Sequence, residues 1–155
     1  MNDLKILVFS DSHRSLRAML DTIEKNIPDT IIHLGDLERD AEEIGYVFPH
    51  IPLVSVPGNC DGWTTSIPVR NFSFDGVSIL LSHGHLWQVK RGYELAIREA
   101  RKVGADVLLF GHTHVPHCKQ MEDGLWVMNP GASPESYGTI MIENGTAQCF
   151  LTRYE

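Results

Sequence analysis

Residues 5–36 read KILVFSDSHRSLRAMLDTIEKNIPDTIIHLGD, and the order of patterns in this stretch decides the architecture. An apolar run, KILVF (5–9), stops at Ser10-Asp11. A helical repeat follows over 15–27, with Leu16, Leu20, Ile23 and Ile27 on one face and Pro28 ending it. A second apolar run, TIIHL (30–34), breaks at Gly35-Asp36. Continuous apolar runs of this length read as strands buried on both faces, and a helix between two of them marks a crossover connection.

The pattern continues outward. Three further runs, PLVSV (52–56), VSILL (77–81) and DVLLF (106–110), read as strands, and helical periodicity recurs over 39–48 and 88–103. The alternation is βαβαβ, hence an α/β core. Asp75-Gly76, Asp123-Gly124 and Asn144-Gly145 mark tight hairpins, because type I′ turns need positive φ at both central residues. The second half therefore adds antiparallel strands. The expected fold is α/β, with two packed mixed β-sheets flanked by helices in a single domain spanning 1–155.

Composition narrows the function. Hydrophobic content of 43% and charged content of 21% are ordinary globular values. A net charge of -7 argues against stable nucleic-acid binding and against adsorption to a membrane surface, since both need a basic face. An acidic chain still handles phosphate if metal ions supply positive charge locally. Cys60, Cys118 and Cys149 lie far apart with no C-x-x-C pair, so neither a disulfide framework nor a zinc knuckle is indicated. A reduced, cytoplasmic setting is expected. The N-terminal apolar run is too short for a signal peptide or a membrane span.

Each of the five runs ends in residues of metal-ligand type: Asp11 and His13, then Asp36, then Asn59, then His83 and His85, then His112 and His114. One such residue at a strand end is ordinarily a turn former or a surface group. Five strands ending this way reverse that judgement, because the C-terminal ends of strands in α/β sheets share an edge where ligands bind. Gly35, Gly58, Gly84 and Gly111 stand beside these residues and are expected to permit the sharp turns that aim them. The donors are all nitrogen and oxygen, which suits Mn²⁺, Fe²⁺, Co²⁺, Ni²⁺ or Zn²⁺ rather than a soft thiolate site. Leaving His85 aside, seven donors are too many for one tetrahedral ion, so two ions are expected, with Asp36 as the natural bridge.

In this order, DSH, GD, GNCD, SHGH and GHTH resemble the signature set of the calcineurin-like metallophosphoesterases, especially their small prokaryotic phosphodiesterase branch. NPGASPESYG (129–138) resembles that branch as well. The resemblance implies a four-layer αββα sandwich. It also implies that Asp11, His13, Asp36 and His114 hold one metal while Asp36, Asn59, His83 and His112 hold the other. The activity it implies is hydrolysis of small phosphodiesters, cyclic nucleotides among them, by a metal-activated hydroxide. Asp36, Asn59 and His85 are the residues expected at the reacting centre, and Mn²⁺ is the favoured ion.

With Asp11 and Asp36 the only anionic ligands, two ions would leave a formal charge of about +2. A neutral Asn59 oxygen preserves that charge where Asp would reduce it. His85, two residues after His83, is a candidate donor to the leaving group, with simple exposure as the alternative. His33 lies inside an apolar strand and reads as a satisfied core histidine, while His50 and His117 look peripheral. Trp63 and Trp87 either wall the pocket or belong to the core.

The chain departs from the wider family at two points. Cys60 stands where larger members carry a histidine that assists the leaving group, and a thiol is a weak donor. Asp40 stands where phosphatases often carry an arginine, with Arg39 one position earlier, so diesters are favoured over protein phosphomonoesters. The competing reading is a binding module like the retromer scaffold subunit, which shares the fold and has a degraded site. A metallo-β-lactamase-like hydrolase would need an H-x-H-x-D-H cluster, which the chain lacks. The expected partner is a small substrate, and self-association into a homo-oligomer is compatible with the sequence.

Overall fold

In the computed structural model, residues 3–12, 16–36, 38–58, 68–133 and 135–154 are described. The chain begins with β1 (Leu4–Phe9), α1 (Leu16–Asn26), β2 (Thr30–His33), α2 (Glu38–Val47) and β3 (Leu53–Ser55). It continues through β4 (Val69–Phe74), β5 (Val77–Ser82), α3 (Glu94–Lys102) and β6 (Val107–Leu109). The last strands are β7 (His117–Gln120), β8 (Trp126–Asn129), β9 (Ser136–Glu143) and β10 (Thr146–Arg153).

The strands form two five-stranded sheets, ordered β10-β9-β1-β2-β3 and β4-β5-β6-β8-β7. Both are mixed. β1, β2 and β3 run parallel, β9 pairs antiparallel with β1 and β10 pairs antiparallel with β9; β5, β6 and β8 run parallel with antiparallel β4 and β7 at the two edges.

Alternation along each strand explains the layering. Ile6 and Val8 of β1 face the other sheet and meet Ile79, Leu81, Val107, Leu109 and Met128 in the central core. Leu7 and Phe9 face outward onto Met19 and Ile23 of α1 and Ile44 of α2. On the far side Leu80, Leu108 and Val127 receive Ala96 and Ala100 of α3. Each strand buried on both faces needs apolar residues at every position, which is why these runs are continuous rather than alternating. Burying one Ile or Leu contributes about 1.5–3 kcal/mol.

Three local expectations differ from the structure. Ile27, expected on the apolar face of the first helix, lies just past the end of α1 with φ 46° and is 77% exposed. The helical pattern over 88–103 yields α3 only from Glu94, preceded by two single 3₁₀ turns at His85–Trp87 and Val89–Arg91. The chain reverses at Gln88 (φ 52°) and Gly92 (φ 132°), and a continuous helix cannot pass through either conformation. Asp75-Gly76 and Asn144-Gly145 have positive φ at both residues, as a type I′ turn requires. At Asp123-Gly124 only Gly124 does (φ 94°), and a longer connection closes through the Met121 N–H to Leu125 O bond of 2.7 Å.

Candidate metal centre

The C-terminal ends of β1, β2, β5 and β6, drawn from both sheets, meet at one edge of the sandwich. Asp11, Asp36 and His83 converge there, with one donor atom from each within 4.8 Å of the others. All three are buried: Asp11 and His83 are fully inaccessible and Asp36 is 2% exposed.

The hydrogen bonds fix what each atom offers. His83 donates from Nδ1 to the Leu34 carbonyl at 2.8 Å, so in the neutral ring Nε2 carries a lone pair. That nitrogen lies 3.3 Å from Asp36 Oδ2, 3.6 Å from Asp11 Oδ1 and 3.2 Å from His112 Nδ1. Asp11 Oδ2 accepts from the Ser10 hydroxyl at 2.6 Å and from the His112 backbone N–H at 3.0 Å. Asp11 Oδ1, equally buried, accepts no hydrogen bond among the described residues. His114 Nε2 stands 3.2 Å from it.

A buried carboxylate oxygen with no donor is costly, on the order of a few kcal/mol, unless a cation neutralises it. Here that oxygen lies 3.6 Å from an imidazole nitrogen that carries a lone pair in the neutral ring. The donor set therefore fits a divalent metal, and an imidazole steered from behind by a backbone carbonyl is the usual arrangement of a metal-binding histidine. Burial alone would lower the His83 pKa, but the hydrogen bond to Asp36 and the charges of Asp11 and Asp36 outweigh it and raise the pKa above 6.5. For His112 and His85, burial and then the neighbouring His83 push the pKa below that value.

His85 sits beside the cluster, its ring centroid 5.5 Å from that of His83 and 6.1 Å from that of His112. Its Nδ1 is shielded from solvent and has no hydrogen-bond partner among the described residues. His13, Asn59, Cys60 and Trp63 lie outside the described residues. Trp87 belongs to the core under α3, 6% exposed. His33 is buried with both ring nitrogens engaged: Nδ1 accepts the Gly35 N–H at 3.1 Å, so Nε2 carries the proton, 3.1 Å from Ser12 Oγ. His33 thus ties the loop bearing Asp11 to the loop bearing Asp36.

The backbone is strained where the side chains converge. Asp11 (φ 51°), Asp36 (φ 46°), His112 (φ 70°) and His114 (φ 63°) all adopt the left-handed region, and non-glycine residues there cost about 1–3 kcal/mol each. The neighbouring glycines divide into two kinds. Gly35 (φ 103°) and Gly84 (φ 114°) supply the expected turns. Gly58 and Gly111 do not have positive φ; they are glycines because no Cβ fits. A Cβ at 58 would overlap Asp36 Oδ1, and one at 111 would overlap Ser10 Oγ and lie 2.7 Å from Asp11 Oδ2.

Sequence reasoning missed the Ser10 hydroxyl and the Leu34 carbonyl, which bond Asp11 and His83, and the buried Asn129, which bonds the Gly111 carbonyl. Ser10 adjoins Asp11 in the chain, but nothing in the sequence signalled the contact. Asn129 opens the NPGASPESYG motif, which was the available signal.

Comparison with known proteins agrees with this geometry. A family model described as the calcineurin-like phosphoesterase superfamily domain matches residues 4–144, and the chain belongs to that superfamily. A probable metallophosphoesterase of Bacillus subtilis, YsnB, is 31% identical over 154 residues, covering 93% of this chain and 88% of its own. The phosphodiesterase YfcE of Escherichia coli is 26% identical, covering 91% of this chain and 88% of its own. Two solved structures share the fold. A predicted phosphoesterase from Streptococcus pneumoniae has a TM-score of 0.77 at 21% identity, covering 98% and 99% of the two chains. Vps29 from Entamoeba histolytica, complexed with zinc, has a TM-score of 0.76 at 20% identity, covering 97% and 99%. Among the described residues no helix is long and apolar enough to cross a membrane.

Proposed function

We propose that this chain hydrolyses small phosphodiesters with two divalent ions, Mn²⁺ foremost, and that Asp36 is shared between them. Asp11, His13 and His114 would complete one position; Asn59, His83 and His112 would complete the other. The observation that carries the reading is the pairing of a buried Asp11 Oδ1, which has no donor among the described residues, with His83 Nε2, which carries a lone pair in the neutral ring, beside the Asp36 carboxylate. Bound divalent ions supply Lewis acidity toward phosphoryl oxygens and lower the pKa of water.

The chain's own residues do the remaining work. The Leu34 carbonyl fixes the His83 tautomer, and the Ser10 hydroxyl with the His112 N–H orients Asp11, so the donors are aligned before substrate arrives. His85, beside His83 and His112, would give a hydrogen bond to the leaving-group oxygen. That role matters because Cys60 is a poor donor. A small diester is favoured because no arginine occupies the position four residues after Asp36. The name of the YfcE relative supports the same substrate class.

The test is hydrolysis of bis(p-nitrophenyl) phosphate by metal-stripped protein before and after adding Mn²⁺, with Asp36→Ala and His112→Ala alongside. Turnover that depends on Mn²⁺ and disappears in both variants is expected. Turnover surviving both substitutions would overturn the two-ion reading. A folded protein with no diesterase activity under any divalent ion would favour a binding role on the Vps29-like fold.

A further inference from the structure

The GHTH loop (111–114) carries two imidazoles at left-handed φ, a conformation that needs something to hold it. The buried side chain of Asn129, at the end of β8, meets that need. Its Nδ2 donates to the Gly111 carbonyl at 3.1 Å and to Thr113 Oγ1 at 2.9 Å, while Oδ1 accepts the Gly131 N–H at 2.9 Å. Asn129 is fully inaccessible to solvent. Thr113 Oγ1 in turn accepts the Val115 N–H at 3.0 Å. The partners fix the amide's orientation, because a carbonyl can only accept and a backbone N–H can only donate.

We infer that Asn129 is a positioning residue for the metal centre: its amide brackets the GHTH loop at residues 111 and 113, aiming His112 and His114 at Asp11 and His83. The bracket grips the residues on either side of His112, and His112 itself touches the centre twice, through its N–H to Asp11 Oδ2 and its Nδ1 to His83 Nε2. Few side chains other than asparagine serve here. Aspartate has the same shape but no donors, and would set a carboxylate against the Gly111 carbonyl. The anchor at Gly131 extends the bracket into the following turn. There Gly131 has φ 79° and a Cβ would overlap Ser136 Oγ. This assigns a purpose to the NPG start of a motif that, among the described residues, adds no donor to the Asp11, Asp36 and His83 cluster.

The inference rests on the metal-site reading above, and its test separates the two. Metal-stripped full-length wild type, Asn129→Asp and Thr113→Val are titrated with Mn²⁺ by calorimetry, and Co²⁺ absorption spectra are recorded for each. For Asn129→Asp a Kd weaker by about 10–100-fold is expected, as for loss of other groups that orient metal ligands. Thr113→Val, which keeps the shape and removes one acceptor, should fall between it and wild type. Altered Co²⁺ d–d bands should accompany both. A merely structural asparagine would lower the melting temperature and leave Kd and spectra unchanged in the folded protein. That result in Asn129→Asp would overturn the inference while leaving the metal site intact. If Asn129→Asp does not fold, wild-type Kd and spectra in Thr113→Val would overturn it equally. Wild type that takes up neither ion would overturn the metal-site reading and this inference together.

Discussion

Replacing Gly58 by Ala adds one methyl group beside the metal centre, and the structure says where it must go. The Cβ would overlap Asp36 Oδ1 and come within 2.7 Å of both Asp36 Cγ and the Asp36 backbone N. Gly58 does not have positive φ, so the backbone itself accepts alanine and the whole effect comes from that contact. Carbon contacts are favourable only near 3.5–4.0 Å, so the Asp36 carboxylate or the loop must give by roughly an ångström. The carboxylate can swing away, but the backbone nitrogen cannot. Asp36 Oδ2 sits 3.3 Å from His83 Nε2, and a displacement of that size breaks the alignment. The expected loss of Mn²⁺ affinity is about 10–100-fold, equivalent to about 1.4–2.8 kcal/mol. Calorimetric titration of the metal-stripped variant measures it, with circular dichroism to establish folding. A folded Gly58→Ala protein that binds Mn²⁺ with wild-type affinity would refute the claim that this glycine exists to admit Asp36.

Gly45 in α2 gives the opposite outcome, because its Cβ would meet only Leu53 Cδ2 at 3.8 Å; Gly45→Ala should stabilise the fold by about 0.5–1 kcal/mol in urea unfolding. His33→Leu removes the acceptor of the buried Gly35 N–H and should destabilise by at least about 1–3 kcal/mol, read from the same unfolding curves. Burial and then Lys119 hold the His117 pKa below 6.5, so in that window the unfolded chain binds more protons than the folded one and stability falls as pH falls. His117→Gln should flatten the drop between midpoints measured above and below pH 6.5, and an unchanged slope would remove His117 as its source.

The two-sheet α/β architecture was legible because its parallel strands are covered on both faces, which forces uninterrupted runs such as KILVF and TIIHL. Asp75-Gly76 and Asn144-Gly145 announced their hairpins because few other pairs tolerate two positive φ values. The stretch over 88–103 misled for a complementary reason. Its apolar spacing reflects real packing of Val89, Ala96 and Ala100 against one core, but periodicity does not register the reversals at Gln88 and Gly92. At the site, residue types at strand ends pointed to Asp11, Asp36, His83, His112 and His114, which the structure brings to one edge. What the sequence could not display was contact. Gly58 and Gly111 read as turn formers and are instead places where another chain segment passes too close for a Cβ. Asn129 read as part of a terminal motif, and its bond to the Gly111 carbonyl spans 18 residues.

The most direct test of the whole account is an anomalous-scattering map from crystals of the wild-type protein soaked in Mn²⁺. Strong peaks are expected at the sandwich edge among Asp11 Oδ1, Asp36 and His83 Nε2, with Asp36 touching both ions. A saturated crystal with no peak at that edge, or with Mn²⁺ bound only elsewhere, would contradict it.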